Sequence, residues 1–505
     1  MREYDYRIWE KLPFTGFDRE VLDEKKRGWC EYAQKILEEI ENKNVALIAD
    51  TSAGKTVIAA LSILASDYKT LFLAPTRNLC DQHQELFQKI TGGMNTKVIT
   101  GLTSSKKKIW NDDCKVIFST PHMALQDIKK GVLELNNFNL IIIDEFHKTA
   151  GDYPYTKITK QSQSRILALS ASPGDSQERI NQLERDCRIE AWIVAEIDTP
   201  RKIKNLVTAE ADEAILTVSK HFDSMLKKVL KEINDLLPNL KIDPGKKHLF
   251  SFKESKEWEE SIGNLSKEWE RRSAKFLIAK YIKLYHSYNT IIGEGYASFL
   301  DYTEKLKKQK SKSADNILAE KDFLKIVRIA KKEINNHPKA LMLLKILHQW
   351  LDLKKNAVVF VNQRATGEYL KSLLNLHFIK TENIFGGGGK VNLKKQQKAL
   401  SDIAEGNLNV LVSTSVIEEG ISVPEVDMII NYSPSSTGVS SKQRNGRTAR
   451  LKKGNIVNLI LKHPLDEISH WSGQAKVKKG EKSLQRHLEK KKNQIQLSLF
   501  PEEEI

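Results

Sequence analysis

Short apolar runs separated by helical stretches dominate the first two hundred residues. Val45–Ala49, Thr70–Ala74, Val116–Ser119, Leu140–Asp144 and Ile166–Ser170 are brief Val/Ile/Leu-rich segments bounded by turn residues. Such runs suit parallel strands buried on both faces, and their alternation with helices predicts a doubly wound α/β unit. From about residue 205 the period changes. Ile215, Val218, Phe222, Met225, Val229, Ile233 and Leu236 recur at steps of three and four, as do Trp258, Ile262, Leu265 and Trp269. These are amphipathic helices, and the two tryptophans read as core. From about residue 336 the strand pattern returns at Ala357–Val361, Val410–Ser413, Met428–Asn431 and Ile456–Leu461. The expected fold is α/β: two doubly wound parallel-sheet lobes, 1–204 and 336–475, with an all-helical insert over 205–335. A Lys-rich tail, 476–505, reads as mobile.

Composition narrows the class. Hydrophobic residues make up 40% of 505, enough for several cores. No run of eighteen apolar residues would cross a membrane, and MREYDYRIWEKLPF is not a signal sequence. Cys30, Cys80, Cys114 and Cys187 form no CxxC pair, which argues against a disulfide framework or a zinc or iron–sulfur site. These features suggest an intracellular protein, cytoplasmic or nucleoid-associated. The net charge of +16, from 81 Lys and Arg against 65 Asp and Glu, favours a polyanionic partner.

Three motifs carry chemistry. The strand ALIAD runs into Thr51-Ser52-Ala53-Gly54-Lys55-Thr56 and then into the helical VIAALSILA, the context of a phosphate-binding loop. Lys55 would reach the β- and γ-phosphates, and Thr56 would hold Mg²⁺. Asp144 and Glu145 end a buried strand. Asp144 can take the metal, and Glu145 can orient and deprotonate the attacking water. Near the far end, Gln443-Arg444-Asn445-Gly446-Arg447-Thr448-Ala449-Arg450 would put Arg447 and Arg450 on one helical face, where arginines act as fingers on a γ-phosphate.

In this order the residues resemble the superfamily-2 helicases. The loop at Lys55 resembles motif I, Pro75–Gln82 motif Ia, Ser119-Thr120-Pro121 motif Ib, and Asp144–His147 motif II. Ser170-Ala171-Ser172 resembles motif III, Thr414–Gly420 motif V, and Gln443–Arg450 motif VI. Within that superfamily, residues Asp144–Tyr155, Leu169–Gly174 and His337-Pro338-Lys339 look like the Hef/FANCM group of fork-remodelling DNA helicases, and RIG-I-like RNA sensors share several of these traits. The resemblance covers roughly residues 25 to 475. It implies two RecA-like lobes and ATP as substrate, with Ser52, Ala53, Gly54, Lys55 and Thr56 holding its phosphates and Mg²⁺. It also implies that Gln443, Arg447 and Arg450 close the site from the second lobe. His147, Ser170 and Ser172 would couple hydrolysis to movement, and Thr76, Arg77, Thr120 and Thr414 would touch the nucleic-acid backbone. Gln34 is the choice for adenine recognition. Departures are Phe146 in place of a small residue, Ser52 in place of glycine, and Ala449 in place of the second glycine of motif VI. None removes a catalytic group.

The implied activity is ATP-dependent 3′-to-5′ translocation or unwinding on forked or branched DNA. An RNA-dependent ATPase and a non-hydrolysing nucleic-acid scaffold are the other classes. The intact set of Lys55, Asp144, Glu145 and Arg447 argues against the scaffold, and no appended sensor domain is visible. No carboxylate cluster of a C-terminal nuclease is present. The Gly386–Gly389 run reads as a loop. Gln494, Leu497 and Phe500 fit the spacing of peptides that dock on sliding clamps, without their second aromatic.

Overall fold

The computed structural model describes residues 19–50, 53–101, 103, 109–110, 112–149, 151–174, 176–196, 202–238, 258, 260–351, 355–385, 389–414, 426–434, 444 and 454–499. The first part of the chain runs α1 (Arg19–Ile40), β1 (Val45–Ala49), α2 (Lys55–Leu64), β2 (Thr70–Leu73), α3 (Arg77–Thr91), β3 (Thr96–Ile99), β4 (Val116–Ser119), α4 (Pro121–Lys129), β5 (Leu140–Asp144), α5 (Pro154–Gln161), β6 (Arg165–Ser170), α6 (Gln177–Cys187), β7 (Ala191–Ala195) and β8 (Lys202–Ala209). Helices follow: α7 (Glu213–Leu236), α8 (Glu268–Gly293), α9 (Tyr296–Lys308), α10 (Lys312–Ala319) and α11 (Lys321–Lys332). The rest is α12 (Pro338–Leu351), β9 (Ala357–Phe360), α13 (Arg364–Leu376), β10 (Thr381–Ile384), α14 (Gly389–Ala404), β11 (Val410–Ser413), β12 (Met428–Asn431), β13 (Gly454–Leu461) and α15 (Pro464–Leu499).

Two fully parallel sheets result. The first has strand order β3-β4-β2-β5-β6-β1-β7 and the second β10-β11-β9-β12-β13-β8. Alternate residues of each strand enter opposite cores. On β1, Val45, Leu47 and Ala49 face the core under α1, α2 and α3, while Ala46 and Ile48 face that under α4, α5 and α6. β9 does the same in the second lobe: Ala357 and Val359 pack beneath α12 and α13, and Val358 and Phe360 beneath α14. This two-faced burial is why the central strands read as unbroken apolar runs.

The strands absent from the sequence reading are β3, β7, β8 and β10. Each lies at a sheet edge; β3, β8 and β10 keep polar residues, as in Thr-Glu-Asn-Ile of β10, while β7 is the apolar but only half-buried Ala-Trp-Ile-Val-Ala. β8 crosses the expected boundary at 204/205 and pairs with β13 in the second sheet, from Lys202↔Gly454 to Ala209↔Leu461. The chain therefore visits the second lobe before it enters the helices.

The insert packs on itself. Phe222 stacks on Tyr288 at 4.8 Å and meets Phe299 and Phe323 edge-on. Trp258 is buried there as expected, but Trp269 is 59% exposed: it lies outside this core, beside Lys267.

The Lys-rich tail is not mobile as expected over its described part. It is the second half of α15, a helix of 36 residues spanning about 54 Å at 1.5 Å per residue. Its first turn is fixed by Asp466, which is buried, pairs with Lys339 at 2.9 Å and accepts the Leu461 amide at 2.7 Å. Its second half lies on the first lobe. Leu484 joins the core over α6, Trp192 meets the His487 ring at 5.4 Å, and Lys491 pairs with Glu184.

Candidate functional site

The site lies at the carboxyl edge of the first sheet, where doubly wound folds bind ligands. β1 turns there, Ala53 N–H donating to Asp50 O at 2.9 Å. Gly54 has φ of +84°, and a Cβ on it would stand 2.4 Å from Trp29 Nε1. Glycine is required twice over, by backbone conformation and by the indole above it. Trp29 Nε1 donates to Ala53 O at 2.7 Å and so braces the loop. Lys55 opens α2, whose first amides lack intrahelical partners. Its buried ammonium donates to Ala49 O at 3.0 Å and Asp50 O at 3.4 Å, so the loop closes on its own cation. Thr51 and Ser52 lie outside the described residues.

Asp144 ends β5. Its Oδ2 lies 3.0 Å from His83 Nε2, and the other nitrogen of that ring lies 3.4 Å from Thr56 Oγ1. Tyr155 Oη donates to Asp144 O at 2.8 Å and lies 3.3 Å from Leu73 O, between the ends of β5 and β2. Glu145 sits in the left-handed region at φ +52°, a conformation costly for a side chain with a Cβ. Its Oε2 is buried and accepts no hydrogen bond. His147 Nδ1 is 3.2 Å from that oxygen, but its bond goes to Ser170 Oγ at 2.9 Å. Burial pushes the Glu145 carboxyl up. The His147 contact, then the charges of Lys55 and Lys148, outweigh burial and hold the carboxyl below the usual carboxylate range. The group is thus ionised at neutral pH. Ser170 Oγ in turn donates to Ser172 O at 2.8 Å, so motifs II and III form one chain of contacts.

An orphaned buried carboxylate oxygen, a second carboxylate and a threonine hydroxyl beside a lysine make a set of hard oxygen donors. That set fits Mg²⁺ shared with phosphates. Magnesium takes few protein ligands, and no group of three or more His, Cys, Asp or Glu able to hold a metal occurs among the described residues.

Other expected residues stand at neighbouring strand ends. Thr76 caps α3 and accepts the Leu79 amide at 3.4 Å. Arg77 is half exposed, 3.8 Å from Asp81. Thr120 precedes α4 without a side-chain cap bond, and Thr414 is buried just past β11. Gln34 is exposed on α1, on the side away from Trp29 and Ala33, and its amide donates to Glu38 at 3.1 Å. Gln443, Arg447 and Arg450 lie outside the described residues. Arg444, between them in sequence, is buried and donates to Ser433 O at 2.9 Å and Asn362 Oδ1 at 3.0 Å, anchoring this stretch to β9 and β12.

Sequence reasoning missed His83 and the bracing role of Trp29. The signal for His83 was its helical phase: Cys80, His83, Phe87 and Ile90 form the buried face of α3, and a histidine on such a face needs partners.

Comparisons with known proteins agree with this geometry. Residues 30–180 match the DEAD/DEAH box helicase family, and 338–452 match the helicase conserved C-terminal domain. A provisionally named ATP-dependent RNA helicase of Methanocaldococcus jannaschii is 29% identical over 461 residues, 87% of this chain and 59% of that protein. The ATP-dependent DNA helicase MPH1 of Pyricularia oryzae is 26% identical over 466 residues, 83% of this chain and 42% of that protein. This chain therefore spans about half the length of those relatives. Among solved structures, the helicase domain of Hef from Pyrococcus furiosus aligns with a TM-score of 0.60 at 27% identity, over 87% of this chain and 97% of that one.

Proposed function

We propose that this chain, a superfamily-2 helicase similar to the Hef/FANCM group, is an ATP-driven motor that moves 3′ to 5′ on DNA and acts at forked or branched junctions. The observation that carries the reading is the convergence at one sheet edge of Lys55, Asp144 and an ionised Glu145 with a free buried oxygen, joined through His147 to Ser170. Lys55 leaves its carbonyls for the ATP phosphates. Asp144 and Thr56 hold Mg²⁺, which when bound offsets charge on the phosphate oxygens. Glu145 orients the attacking water and takes its proton. Gln443, Arg447 and Arg450 complete the site from the second lobe, and closure and reopening of the lobes shift the grip of Thr76, Arg77, Thr120 and Thr414 along one strand.

The insert, with exposed Lys227 and Lys228 and the Lys305–Lys310 run, would be a second grip on duplex. A sliding clamp is a further partner proposed for the Gln494–Phe500 segment. The motor would work inside the cell, in the cytoplasm or at the nucleoid.

One finding favours an RNA-driven ATPase as the second reading: the archaeal relative above is named an RNA helicase. ATPase rates against single-stranded, duplex and forked DNA with matched RNAs separate the two. Forked DNA should stimulate most, and stimulation by RNA alone would reverse the assignment.

A further inference from the structure

α3 has functional residues at two points along one rigid rod. At its amino end are Thr76, its cap, and Arg77, the residues proposed to grip nucleic acid. Six residues on, about 9 Å along the axis at 1.5 Å per residue, His83 meets the cation-holding pair.

The imidazole is held on three sides. Its ring lies 5.0 Å from that of Phe72, Nε2 lies 3.0 Å from Asp144 Oδ2, and Nδ1 lies 3.4 Å from Thr56 Oγ1. One neutral tautomer satisfies both polar contacts. The Nε2 proton goes to the carboxylate, and Nδ1 accepts the threonine hydroxyl proton. Thr56 then presents lone pairs outward and Asp144 keeps Oδ1 free, the arrangement an oxygen-seeking cation requires. A second contact runs alongside: Tyr155 Oη donates to Asp144 O and lies 3.3 Å from Leu73 O, just before α3. A displacement of α3 by a bound strand therefore reaches Asp144 and Thr56 through a side chain that touches both.

We propose that His83 is a positioning residue that couples the nucleic-acid grip at Thr76 and Arg77 to the cation and nucleotide site. Coupling between two sites is reciprocal, so nucleic acid must change the affinity for Mg-nucleotide by the same factor as Mg-nucleotide changes the affinity for nucleic acid. The inference rests on the functional reading above.

The test measures equilibrium binding of a fluorescent ADP analogue, in EDTA and in Mg²⁺, with and without saturating oligo-dT. His83→Leu keeps the packing on Phe72 and removes both polar contacts. His83→Gln keeps a donor for Asp144. In the wild type, oligo-dT should shift the Mg-nucleotide affinity by 5- to 150-fold, the usual span for coupled sites. In His83→Leu that shift should vanish and the tightening by Mg²⁺ should shrink, while metal-free nucleotide affinity stays within about twofold. His83→Gln should recover most of the Mg²⁺ effect. Wild-type coupling and Mg²⁺ response in a cooperatively melting His83→Leu would overturn the role of His83. Should that variant not melt cooperatively, His83→Ala takes its place under the same criterion. Absence of any oligo-dT or oligo-U effect in the wild type would instead overturn the functional reading, and the coupling with it.

Discussion

His147 Nδ1 lies 2.9 Å from Ser170 Oγ, so the turn after β5 and the end of β6 are joined by one hydrogen bond beside the proposed catalytic carboxylate. The bond places Ser170 where movement around Glu145 is felt first. It also holds the His147 ring 3.2 Å from Glu145 Oε2 without taking up that oxygen.

Ser170→Ala cuts this link and leaves His147 near Glu145. Loss of a buried hydrogen-bond partner costs about 1–3 kcal/mol locally. ATP turnover stimulated by single-stranded DNA should fall only a few-fold, while unwinding of a forked duplex should fall about tenfold or more. Parallel ATPase and strand-separation assays check this, and equal losses in both would remove Ser170 from the coupling path.

Lys55 and Glu145 separate binding from chemistry. Lys55→Ala removes the ammonium now held by Ala49 O and Asp50 O, and nucleotide binding and turnover should both be lost. Glu145→Gln should bind ATP and slow hydrolysis by about 10²- to 10⁴-fold, the usual contribution of a positioned base. The wild-type carboxyl, held below the usual carboxylate range by the His147 contact and the Lys55 and Lys148 charges, is ionised at neutral pH and ready to act as the base. Near-normal steady-state turnover in Glu145→Gln would remove it from the chemical step.

The sequence made the central strands and the phosphate loop legible because burial on both faces writes an unbroken apolar run, and a strand–loop–helix with Gly54-Lys55-Thr56 has few other uses. The edge strand β8 carries no such run: with a neighbour on one side alone, Lys-Ile-Lys-Asn reads as loop. A short polar motif such as that around Gln34 fixes no helical phase. The phase of α1 is set by Trp29, Cys30, Ala33 and Ile36, which turn inward. His83 stayed hidden because its partners Thr56 and Asp144 are 27 and 61 residues away.

His337 links stability to acidity. Its ring is fully buried with Nε2 bonded to Ile291 O at 3.0 Å; burial, and then the Lys339 charge, push it down to about 3. A folded value below the unfolded one, about 6.5, means the unfolded chain binds the proton more readily. Its stabilising contribution is complete above pH 6.5 and is lost as pH falls towards 3. Acidification from pH 7 to 5 should remove about 2 kcal/mol through this one group, at 1.36 kcal/mol per pH unit. His470 and His487, also lowered by burial, act in the same direction. Urea melts at the two pH values should show a smaller acid loss in His337→Gln than in the wild type. An unchanged acid loss would show that the ring is not held neutral.

α15 sets the last expectation, because a lysine-rich helix has no reason to lie on a lobe unless its apolar side is used. Gly473 and Gly480 are buried along it, Leu484 enters the core over α6, and Leu488 packs beside it. Polar contacts then fix the register: Gln177 Nε2 lies 2.9 Å from His487 Nδ1, and Lys491 reaches Glu190 O at 3.1 Å. Fully burying one leucine side chain contributes about 1.5–3 kcal/mol, so Leu484, with the partly buried Leu488, supplies the main hold of the helix on the lobe. Leu484→Asp with Leu488→Asp should release the second half of α15 while Asp466 and Lys339 still hold its start. Amide exchange should then rise sharply across residues 480–491 and on the covered face of α6, with the amides of β1 and β5 unchanged. Limited proteolysis should cut within the same span. Protection across 480–491 equal to the wild type would mean that the leucines do not hold the helix to the lobe.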